Sequence, residues 1–325
     1  MRLFYLLLAA FLISCSPILR IDNPFESSET AGETADVFEN QSLRIFVLDV
    51  GQGDAALVIG PSGKTLLIDG GPSGSGAVTI LPLLASLEIT RLNWIIATHY
   101  DADHIGGIPE VLLGPDQISD SEDDLIPASG LLDRGDFTDK TTPVYSEYIE
   151  TSGPHRQEVA PGTRLELGNG ASAEVIVVNG HYSDGRSIHL NPGEENEASI
   201  GLLIEYGGFR YFTAGDLTGG GSPGGYETKD LETIAGEIIG DIDVLHVGHH
   251  GSGSSTNENF LNLIKPEAGV ISVGKDNDYG HPTETVLKRL EGVGTAVCRT
   301  DLMGTLEIKT DGNGFEMLTP SHFQE

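Results

Sequence analysis

The sequence predicts a mixed strand-and-helix fold of class α/β (α+β), and three observations carry this prediction. Short apolar segments bounded by glycine or proline recur along the first two thirds of the chain. In the last third, strand-like segments alternate with helix-like ones. Ionisable residues repeatedly stand where a strand-like segment stops, which is where α/β proteins place their sites. A single domain over residues 42–313 is the simplest division.

The first 41 residues differ in composition from this domain. Residues 1–15 hold one positive charge and an apolar run too short to span a membrane, with the length of a signal-peptide core. The run ends in Leu-Ile-Ser-Cys, which resembles a bacterial lipobox, so Cys15 is the expected lipid attachment site; the alternative is an ordinary signal peptide with an incidental cysteine. Residues 16–41 are expected to be a flexible acidic tether and residues 314–325 a C-terminal tail.

These segments predict where the protein resides. A lipidated Cys15 would anchor it in the bacterial cell envelope on the periplasmic side. The serine that follows the cysteine favours the outer membrane, by resemblance to lipoprotein sorting.

The domain opens with three strand-like segments. They are LRIFVLDV from Leu43, AALVIG and KTLLIDGG, each bounded by turn residues. VTILPLLASLEI has helical spacing, so Pro82 must sit in its first turn or at a kink. LNWIIATH is an apolar strand that ends in a histidine. Residues 114–128 are acidic and are interpreted as a solvated surface loop.

The second half of the domain continues in the same way. TRLELG, AEVIVVNG, ASIGLLIEY and FRYFTAGD predict strands, the last two joined as a hairpin around Gly207-Gly208. DIDVLHVGHHGS is typical of a strand followed by a loop, and AGVISVG of another strand. YETKDLETIAGEIIG, ENFLNLIKP and PTETVLKRLEGV have helix-like spacing. TAVCRT and GTLEIKT close the domain.

The charge balance limits the classes of partner. The chain has 18 Lys and Arg against 49 Asp and Glu, which gives a formal net charge of −31. Such a field repels polyanions at long range, and the sequence offers no basic cluster as a nucleic-acid-binding surface. Tight binding of long duplex DNA through charge is therefore not expected.

The segment ATHYDADHIGG gathers four ionisable side chains directly after an apolar strand. A metal, a proton-transfer site or a solvated polar loop would each explain the group. Alternation along an extended backbone puts His99, Asp101 and Asp103 on one side, and His104 can turn inward where a helix begins. The glycine pair that follows lets backbone pass close by. Further ionisable groups follow other predicted strands, and they are Asp216, His249, His250 and His281.

His-x-Asp-x-Asp-His followed by Gly-Gly resembles the metal motif of the metallo-β-lactamase superfamily, whose usual form is His-x-His-x-Asp-His. An aspartate in the middle position is what the metallo-hydrolase domain of ComEC-type DNA-uptake proteins carries. The resemblance continues in the family's order through FVLDVGQGDAALV, LLIDGG, NEASIGLLI, FTAGD, DVLHVGHHGS and YGHPT, and it covers nearly all of residues 43–310. It implies an αββα sandwich and a stand-alone, secreted relative of that domain.

The resemblance also implies a site for one or two divalent metal ions. His99 and Asp101 match ligands of the first metal, and Asp103 and His104 match ligands of the second. Asp216 matches the residue that bridges both metals.

The family's remaining site residues map onto the second half of the chain and the first strands. One of His249 and His250 would complete the second site, and the sequence leaves open which one. Asn196 stands where the superfamily has a mid-chain histidine, so the first metal is one strong ligand short. His281 matches a late histidine near the substrate or leaving group, and it joins Asp103 and Asp216 as a candidate catalytic residue. The candidates for substrate binding or support of the ligands are Asp49, Gln52, Asp54, Asn196, Ser199 and Ser252.

The donor set indicates the kind of metal. Aspartate and asparagine in place of two histidines move the site towards oxygen ligands, which favours manganese over zinc without excluding zinc. Two such cations with an open position for water support hydrolysis. In the family resemblance the attacked centre is a phosphodiester, and His281 could hydrogen-bond or protonate the departing oxygen.

The expected function is therefore a metal-dependent hydrolase, a phosphodiesterase or nuclease-like enzyme. Given the acidic surface, its expected substrates are short or single-stranded nucleic acid or a phosphodiester of the envelope. One alternative is a hydrolase of lactones or thioesters. Another is a non-catalytic binding lipoprotein that keeps the fold, which Asn196 supports and the retained ligand set opposes. The membrane would be a second partner through the lipid on Cys15.

Overall fold

The structure is a computed structural model, and it describes residues 18–21, 42–136, 141–222, 225 and 227–320. The proposed lipid attachment site, Cys15, lies outside these residues, as do the whole expected signal peptide and most of the expected tether. Within the described ranges, no helix combines the length and the apolar character needed to cross a bilayer.

The described residues form nineteen strands. In chain order they are β1 (Ile18–Ile21), β2 (Leu43–Val47), β3 (Ala56–Ile59), β4 (Thr65–Ile68), β5 (Trp94–Ile96), β6 (Gly130–Asp133), β7 (Arg156–Glu158), β8 (Arg164–Gly168), β9 (Ala171–Val178), β10 (His181–Tyr182), β11 (Gly201–Tyr206), β12 (Phe209–Thr213), β13 (Gly219–Gly221), β14 (Thr228–Asp230), β15 (Val244–His246), β16 (Ala268–Ile271), β17 (Ala296–Arg299), β18 (Leu306–Thr310) and β19 (Phe315–Leu318).

Two large sheets share one internal plan. The first has the order β1-β19-β18-β2-β3-β4-β5-β6-β7, antiparallel from β1 to β4 and parallel from β4 to β7. The second has the order β10-β9-β11-β12-β15-β16-β17, with β8 also paired to β9. It is antiparallel up to β12 and parallel from β12 to β17. Strands β13 and β14 form a separate ribbon.

Helices cover the outer faces of both sheets. The α-helices are α1 (Leu81–Ser86), α2 (Ala102–Ile105), α3 (Ile108–Leu112), α4 (Pro143–Ser152), α5 (Glu232–Ile239), α6 (Glu258–Ile264), α7 (Glu284–Gly292) and α8 (Thr300–Met303). Apolar residues of α1 to α4 join one buried cluster with the first sheet. Those of α5 to α7 join another with the second sheet.

The apolar alternation of β2 shows how the layers are held together. Leu43, Ile45 and Val47 point into a core that lies between the two sheets, whereas Phe46 points towards the helices. Burial on both faces explains why this strand reads as a nearly continuous apolar run. The molecule therefore has four layers, and the predicted αββα sandwich is confirmed.

Two local predictions agree with the structure. Strands β11 and β12 form a hairpin whose connection is Gly207-Gly208, and Gly207 has a left-handed φ of +58°. Pro82 lies in the first turn of α1, where a missing backbone N–H leaves no helical bond unmade. The turn just before α1 is a short π-helix, Gly76–Ile80.

The expected ends of the domain are wrong. Residues 314–325 were expected to be a tail, yet Phe315–Leu318 forms β19, because Phe315 and Met317 alternate into the core between the sheets. The expected tether is interrupted by β1 at Ile18–Ile21, which pairs with β19 in antiparallel register. The domain therefore extends beyond residue 313 and recruits a strand from the N-terminal segment.

Candidate metal centre

The parallel strands of both sheets end at the candidate site. His99 follows β5 in the first sheet, while Asp216 and the His249-His250 pair follow β12 and β15 in the second. Ligand sites of α/β sheets lie outside the carboxyl ends of parallel strands. Residues distant in sequence are thereby brought to one place between the two sheets.

The aspartate-rich motif is part strand end and part helix. His99 is fully buried, and α2 already begins at Ala102, with Asp101 as its N-cap residue. The predicted extended alternation through Asp103 is therefore wrong, because Asp103 and His104 lie in the first turn of this helix. One turn of helix moves Asp103 and His104 away from the direction of the strand.

The glycines after the motif are required by close backbone contacts, as predicted. A Cβ on Gly106 would lie 2.3 Å from the Ser73 nitrogen. A Cβ on Gly107 would lie 2.2 Å from the Gly70 oxygen. Both distances are shorter than real Cβ contacts, so these positions admit only glycine without a shift of backbone.

Asp216 lies at the centre of the cluster. It is 3% exposed, and its backbone amide donates to Ser199 Oγ at 3.3 Å. The preceding Gly215 has a left-handed φ of +50°, and a Cβ there would lie 2.5 Å from Thr98 Oγ1. Glycine at this position lets the Asp216 turn approach the end of β5.

Two histidines face each oxygen of the Asp216 carboxylate. Oδ1 lies 3.2 Å from His104 Nε2 and 3.7 Å from His250 Nε2. Oδ2 lies 3.9 Å from His99 Nε2 and 3.4 Å from His249 Nε2. Both members of the histidine pair therefore reach Asp216, and they reach different oxygens.

The two other aspartates of the motif extend these two groups. Asp101 Oδ2 lies 3.5 Å from His99 Nε2, and Asp103 Oδ2 lies 3.3 Å from His250 Nε2. We call the first group, with Asp216 Oδ2, the His249 side; it comprises His99, Asp101, Asp216 and His249. We call the second group, with Asp216 Oδ1, the His250 side; it comprises Asp103, His104, Asp216 and His250. His104 lies close to both sides, since its ligand atom is within 4.8 Å of those of His99 and Asp216.

Hydrogen bonds fix the orientation of the two imidazoles that follow β5 in the first sheet. Thr98 Oγ1 donates to Asp69 Oδ2 at 2.7 Å, so His99 Nδ1 must donate to Thr98 Oγ1, 3.2 Å away. His104 Nδ1 donates to Asp69 Oδ2 at 2.8 Å. Each ring therefore carries a proton on Nδ1, and in its neutral form Nε2 presents a lone pair towards Asp216.

The second histidine pair has the same tautomer. His250 Nδ1 donates to the Ser272 carbonyl oxygen at 3.0 Å. The Asn196 amide nitrogen donates to His249 Nε2 at 3.3 Å, so His249 Nδ1 carries the proton and donates to Ser254 Oγ at 3.0 Å. Four imidazole lone pairs thus converge on one carboxylate.

This convergence fits divalent cations. The buried atoms His99 Nε2, His104 Nε2, His250 Nε2 and Asp216 Oδ1 have no hydrogen-bond partner within the described part of the chain. Buried polar atoms left unpaired are costly, and lone pairs that face a carboxylate need a positive charge between them. Imidazole and carboxylate are the common ligands of zinc and manganese.

The local electrostatics show the same need for positive charge. Burial opposes ionisation of Asp216, but His249, His104 and His250 hold its pKa well below the usual range. Burial also disfavours protonation of His104, yet Asp216 and Asp69 raise its pKa well above that of free histidine. Protons therefore supply positive charge here in the absence of metal, and metal binding must displace them.

The histidine pair has an unusual backbone. His249 and His250 both have left-handed φ values, of +51° and +53°. Such values are uncommon for residues other than glycine and persist only where the surroundings enforce them. This turn directs successive side chains to different oxygens of Asp216.

The other predicted residues divide into those near the cluster and those away from it. Asp54 is buried beneath it, 3.9 Å from His250 Nδ1 and 3.3 Å from His246 Nε2. Gln52 instead accepts the Gly274 amide at 3.1 Å. Asp49 is exposed, and its carboxylate accepts the Gly51 amide at 3.2 Å; its part in substrate binding stays a prediction.

Three further predicted residues border the cluster. Asn196 contacts His249, as described above, and Ser252 Oγ lies 3.0 Å from Ser254 Oγ. His281 stacks on the exposed ring of Tyr279, and its own ring centroid lies 5.8 Å from that of His249.

The sequence did not place three supporting residues at the site. Asp69 follows β4, and its buried carboxylate holds His104. Arg134 and Glu195 form a buried ion pair of 2.6 Å, and Glu195 Oε1 also accepts the Tyr100 amide at 2.8 Å. The pair thus fixes the backbone between His99 and Asp101. Only the position of Asp69 at a strand end could have signalled its role.

We expect Asp69→Asn to weaken metal binding by about 10- to 100-fold, since Oδ1 accepts the Thr98 amide while Oδ2 accepts from Thr98 Oγ1 and His104 Nδ1, and an amide has only one acceptor oxygen for these two places. Isothermal titration of the metal-free protein with Zn²⁺ measures this change. The matched control is Asp133→Asn, an equally buried carboxylate that accepts from Tyr148 and Arg156. We expect that control to lose stability and to retain its metal affinity; unchanged affinity in Asp69→Asn would contradict the orienting role.

The family model of the metallo-beta-lactamase superfamily matches residues 48–275. ComE operon protein 3 of Bacillus subtilis (strain 168) is 28% identical over 281 residues, which is 81% of this chain and 32% of that protein. Competence protein ComA of Neisseria gonorrhoeae is 28% identical over 272 residues, 83% of this chain and 32% of that protein. The chain thus spans 32% of the length of each of these relatives.

Solved structures also match this chain. Zn²⁺-bound PqqB from Methylobacterium extorquens is 14% identical, with a TM-score of 0.43. The match covers 78% of this chain and 97% of that one. At this identity the likeness concerns the fold alone.

Proposed function

Because this chain belongs to the metallo-β-lactamase superfamily, we propose that it is a metal-dependent hydrolase that cleaves phosphodiesters. The observation that carries the proposal is the double-sided cluster around Asp216, with two histidines on each carboxylate oxygen. A carboxylate with imidazoles on both sides would hold two divalent ions, which would supply the Lewis acidity for displacement at phosphorus.

When bound, the ions would lower the pKa of a water and stabilise charge on the non-bridging oxygens. The protein's own residues have separate tasks. Asp216 would hold the two sides at a fixed separation, because its carboxylate is buried and its backbone amide is held by Ser199. Asp69 and the Ser272 carbonyl would keep His104 and His250 in the tautomer that leaves Nε2 free.

His281 is the proposed partner of the leaving group. Burial and the nearby His250 and His249 lower the pKa of its imidazole to about 4. The ring is therefore neutral at pH 7. We infer that His281 donates a hydrogen bond to the departing oxygen rather than protonating it in advance.

The acidic character of the chain supports small or single-stranded substrates. A formal net charge of −31 repels the dense charge of a long duplex, whereas a short phosphodiester brings little charge with it. Oxygen donors from Asp101, Asp103 and Asp216 support manganese as the activating ion, with zinc as the second choice.

The test is hydrolysis of bis-p-nitrophenyl phosphate by the full chain, stripped of metal and reloaded with Mn²⁺ or Zn²⁺. Parallel assays use a lactone and a thioester, which represent the other reaction classes open to a metal-activated water. Metal-dependent release of nitrophenolate supports the proposal. Hydrolysis of only the lactone or the thioester would contradict the proposal and identify a hydrolase of that class. A folded, metal-loaded protein that hydrolyses none of the three substrates would favour a binding role.

A further inference from the structure

The two imidazoles of the histidine pair donate their Nδ1 hydrogen bonds to different kinds of acceptor. His250 Nδ1 donates to a backbone carbonyl, that of the buried Ser272, which directly follows β16. His249 Nδ1 instead donates to a side chain, Ser254 Oγ, at 3.0 Å. A backbone partner is fixed by the sheet, whereas a hydroxyl is only as well fixed as the turn that carries it.

We propose that Ser254 is a positioning residue that holds the His249 imidazole towards Asp216 and thereby sets the affinity of the His249 side for its metal ion. The inference rests on the metal centre of the proposed function. It concerns one ion of the two and does not depend on which substrate is cleaved.

The competition at His249 Nε2 shows why a positioning residue is needed. The Asn196 amide nitrogen lies 3.3 Å from this atom and donates to the lone pair that a metal would use. A freely rotating ring would satisfy Asn196 in several orientations. The bond from Nδ1 to Ser254 restricts the ring to the orientation in which Nε2 also lies 3.4 Å from Asp216 Oδ2.

Ser254 is itself held from several directions. Its carbonyl oxygen accepts the Gly219 amide at 2.7 Å, and its hydroxyl lies 3.0 Å from Ser252 Oγ. The end of the turn is anchored by the buried Glu232, whose carboxylate accepts the Thr256 amide at 2.7 Å and the Asn257 amide at 3.0 Å. The hydroxyl is therefore presented by a well-ordered turn, and it is 3% exposed.

The two sides also differ in exposure. The His249 side chain is 22% exposed and that of His250 is 3% exposed. Water can therefore compete for a metal on the His249 side more readily. We infer that this side holds the more weakly bound ion, and that removal of the Ser254 hydroxyl weakens this ion selectively.

The experiment is calorimetric titration of the metal-free full chain with Zn²⁺, which needs no substrate. Wild type is expected to show two binding events of different affinity. Ser254→Ala is expected to weaken the weaker event by about 10- to 100-fold and to leave the tighter event unchanged. Ser254→Thr keeps a hydroxyl and is expected to restore the weaker event at least in part.

The matched control is Thr295→Val, which removes a buried hydroxyl bond of 2.8 Å to the Pro266 carbonyl at the opposite end of β17 from the site. It is expected to keep both events. If Ser254→Ala fails to fold by circular dichroism, Ser254→Gly replaces it. A wild type that binds one ion, or a folded variant in which both events weaken equally or neither does, overturns the inference. Zn²⁺ binding without any hydrolysis would refute the proposed function and leave this inference standing.

Discussion

Asp216→Asn is expected to lower metal-dependent phosphodiester hydrolysis by about 10³-fold or more. Both oxygens of this carboxylate face histidines, and the amide that replaces it offers one neutral acceptor and one donor. A donor pointing at an imidazole lone pair repels the cation from one of the two sides. The measurement is the initial rate with Mn²⁺ at saturating metal, beside the metal stoichiometry of the variant.

Asp243→Asn is the matched control for this substitution. Asp243 precedes β15, at the end of the strand remote from the histidine pair, and its carboxylate accepts the Arg210 amide at 2.6 Å. We expect the control to keep its rate of hydrolysis within about threefold of wild type, because a substitution near the surface and away from the site has a small effect. If Asp216→Asn keeps its turnover, Asp216 takes no part in the reaction. The interpretation of the cluster as a metal site with two sides would then be wrong.

Arg134→Ala is expected to lower the free energy of unfolding by about 3–5 kcal/mol, the cost of leaving a buried carboxylate without its partner. Arg134 is 1% exposed and donates through Nε and Nη2 to Glu195 Oε1, at 3.0 and 2.6 Å. Its guanidinium also lies 4.4 Å from the centroid of the Tyr100 ring. A third hydrogen bond runs from Nη1 to Asn179 Oδ1 at 3.5 Å, so the substitution removes a charge, three hydrogen bonds and packing at once. Urea unfolding followed by circular dichroism measures the loss.

The double variant Arg134→Met with Glu195→Gln separates charge from packing. Replacing both partners of a buried pair is far less costly than removing one, so we expect it to recover much of the lost stability. Its metal affinity should stay close to that of wild type, because the glutamine side-chain oxygen can still accept the Tyr100 amide between two residues of the motif. Equal destabilisation in the single and double variants would show that packing, and not the unpaired charge, dominates.

Much of the metal cluster could be predicted, because the ends of the strands can be recognised in the sequence. His99, Asp216 and the histidine pair each follow an apolar run that ends in glycine or threonine, and the parallel strands bring such ends together. The layer order followed from the family resemblance. The hairpin around Gly207 followed from local turn chemistry alone.

The rest depended on contacts that no local pattern encodes. Strands β6 and β7 and helix α4 were not predicted, because these strands are short, three or four residues each, and lie beside an acidic loop. Which oxygen of Asp216 each histidine faces depends on two successive left-handed residues, His249 and His250, and such φ values are uncommon outside glycine. Arg134 and Glu195 are separated in sequence by several strands, so their pairing is a product of the fold.

The division of the cluster between two sheets has a consequence for how the chain folds. Its donors lie on the first sheet at His99 to His104 and on the second at Asp216 to His250, so neither half of the sandwich alone offers a complete cation site. A bound ion therefore stabilises only the state in which the two sheets are docked, and it stabilises early folding intermediates little. Once bound, the ion would link the two sheets. We therefore expect it to slow unfolding more than it speeds folding.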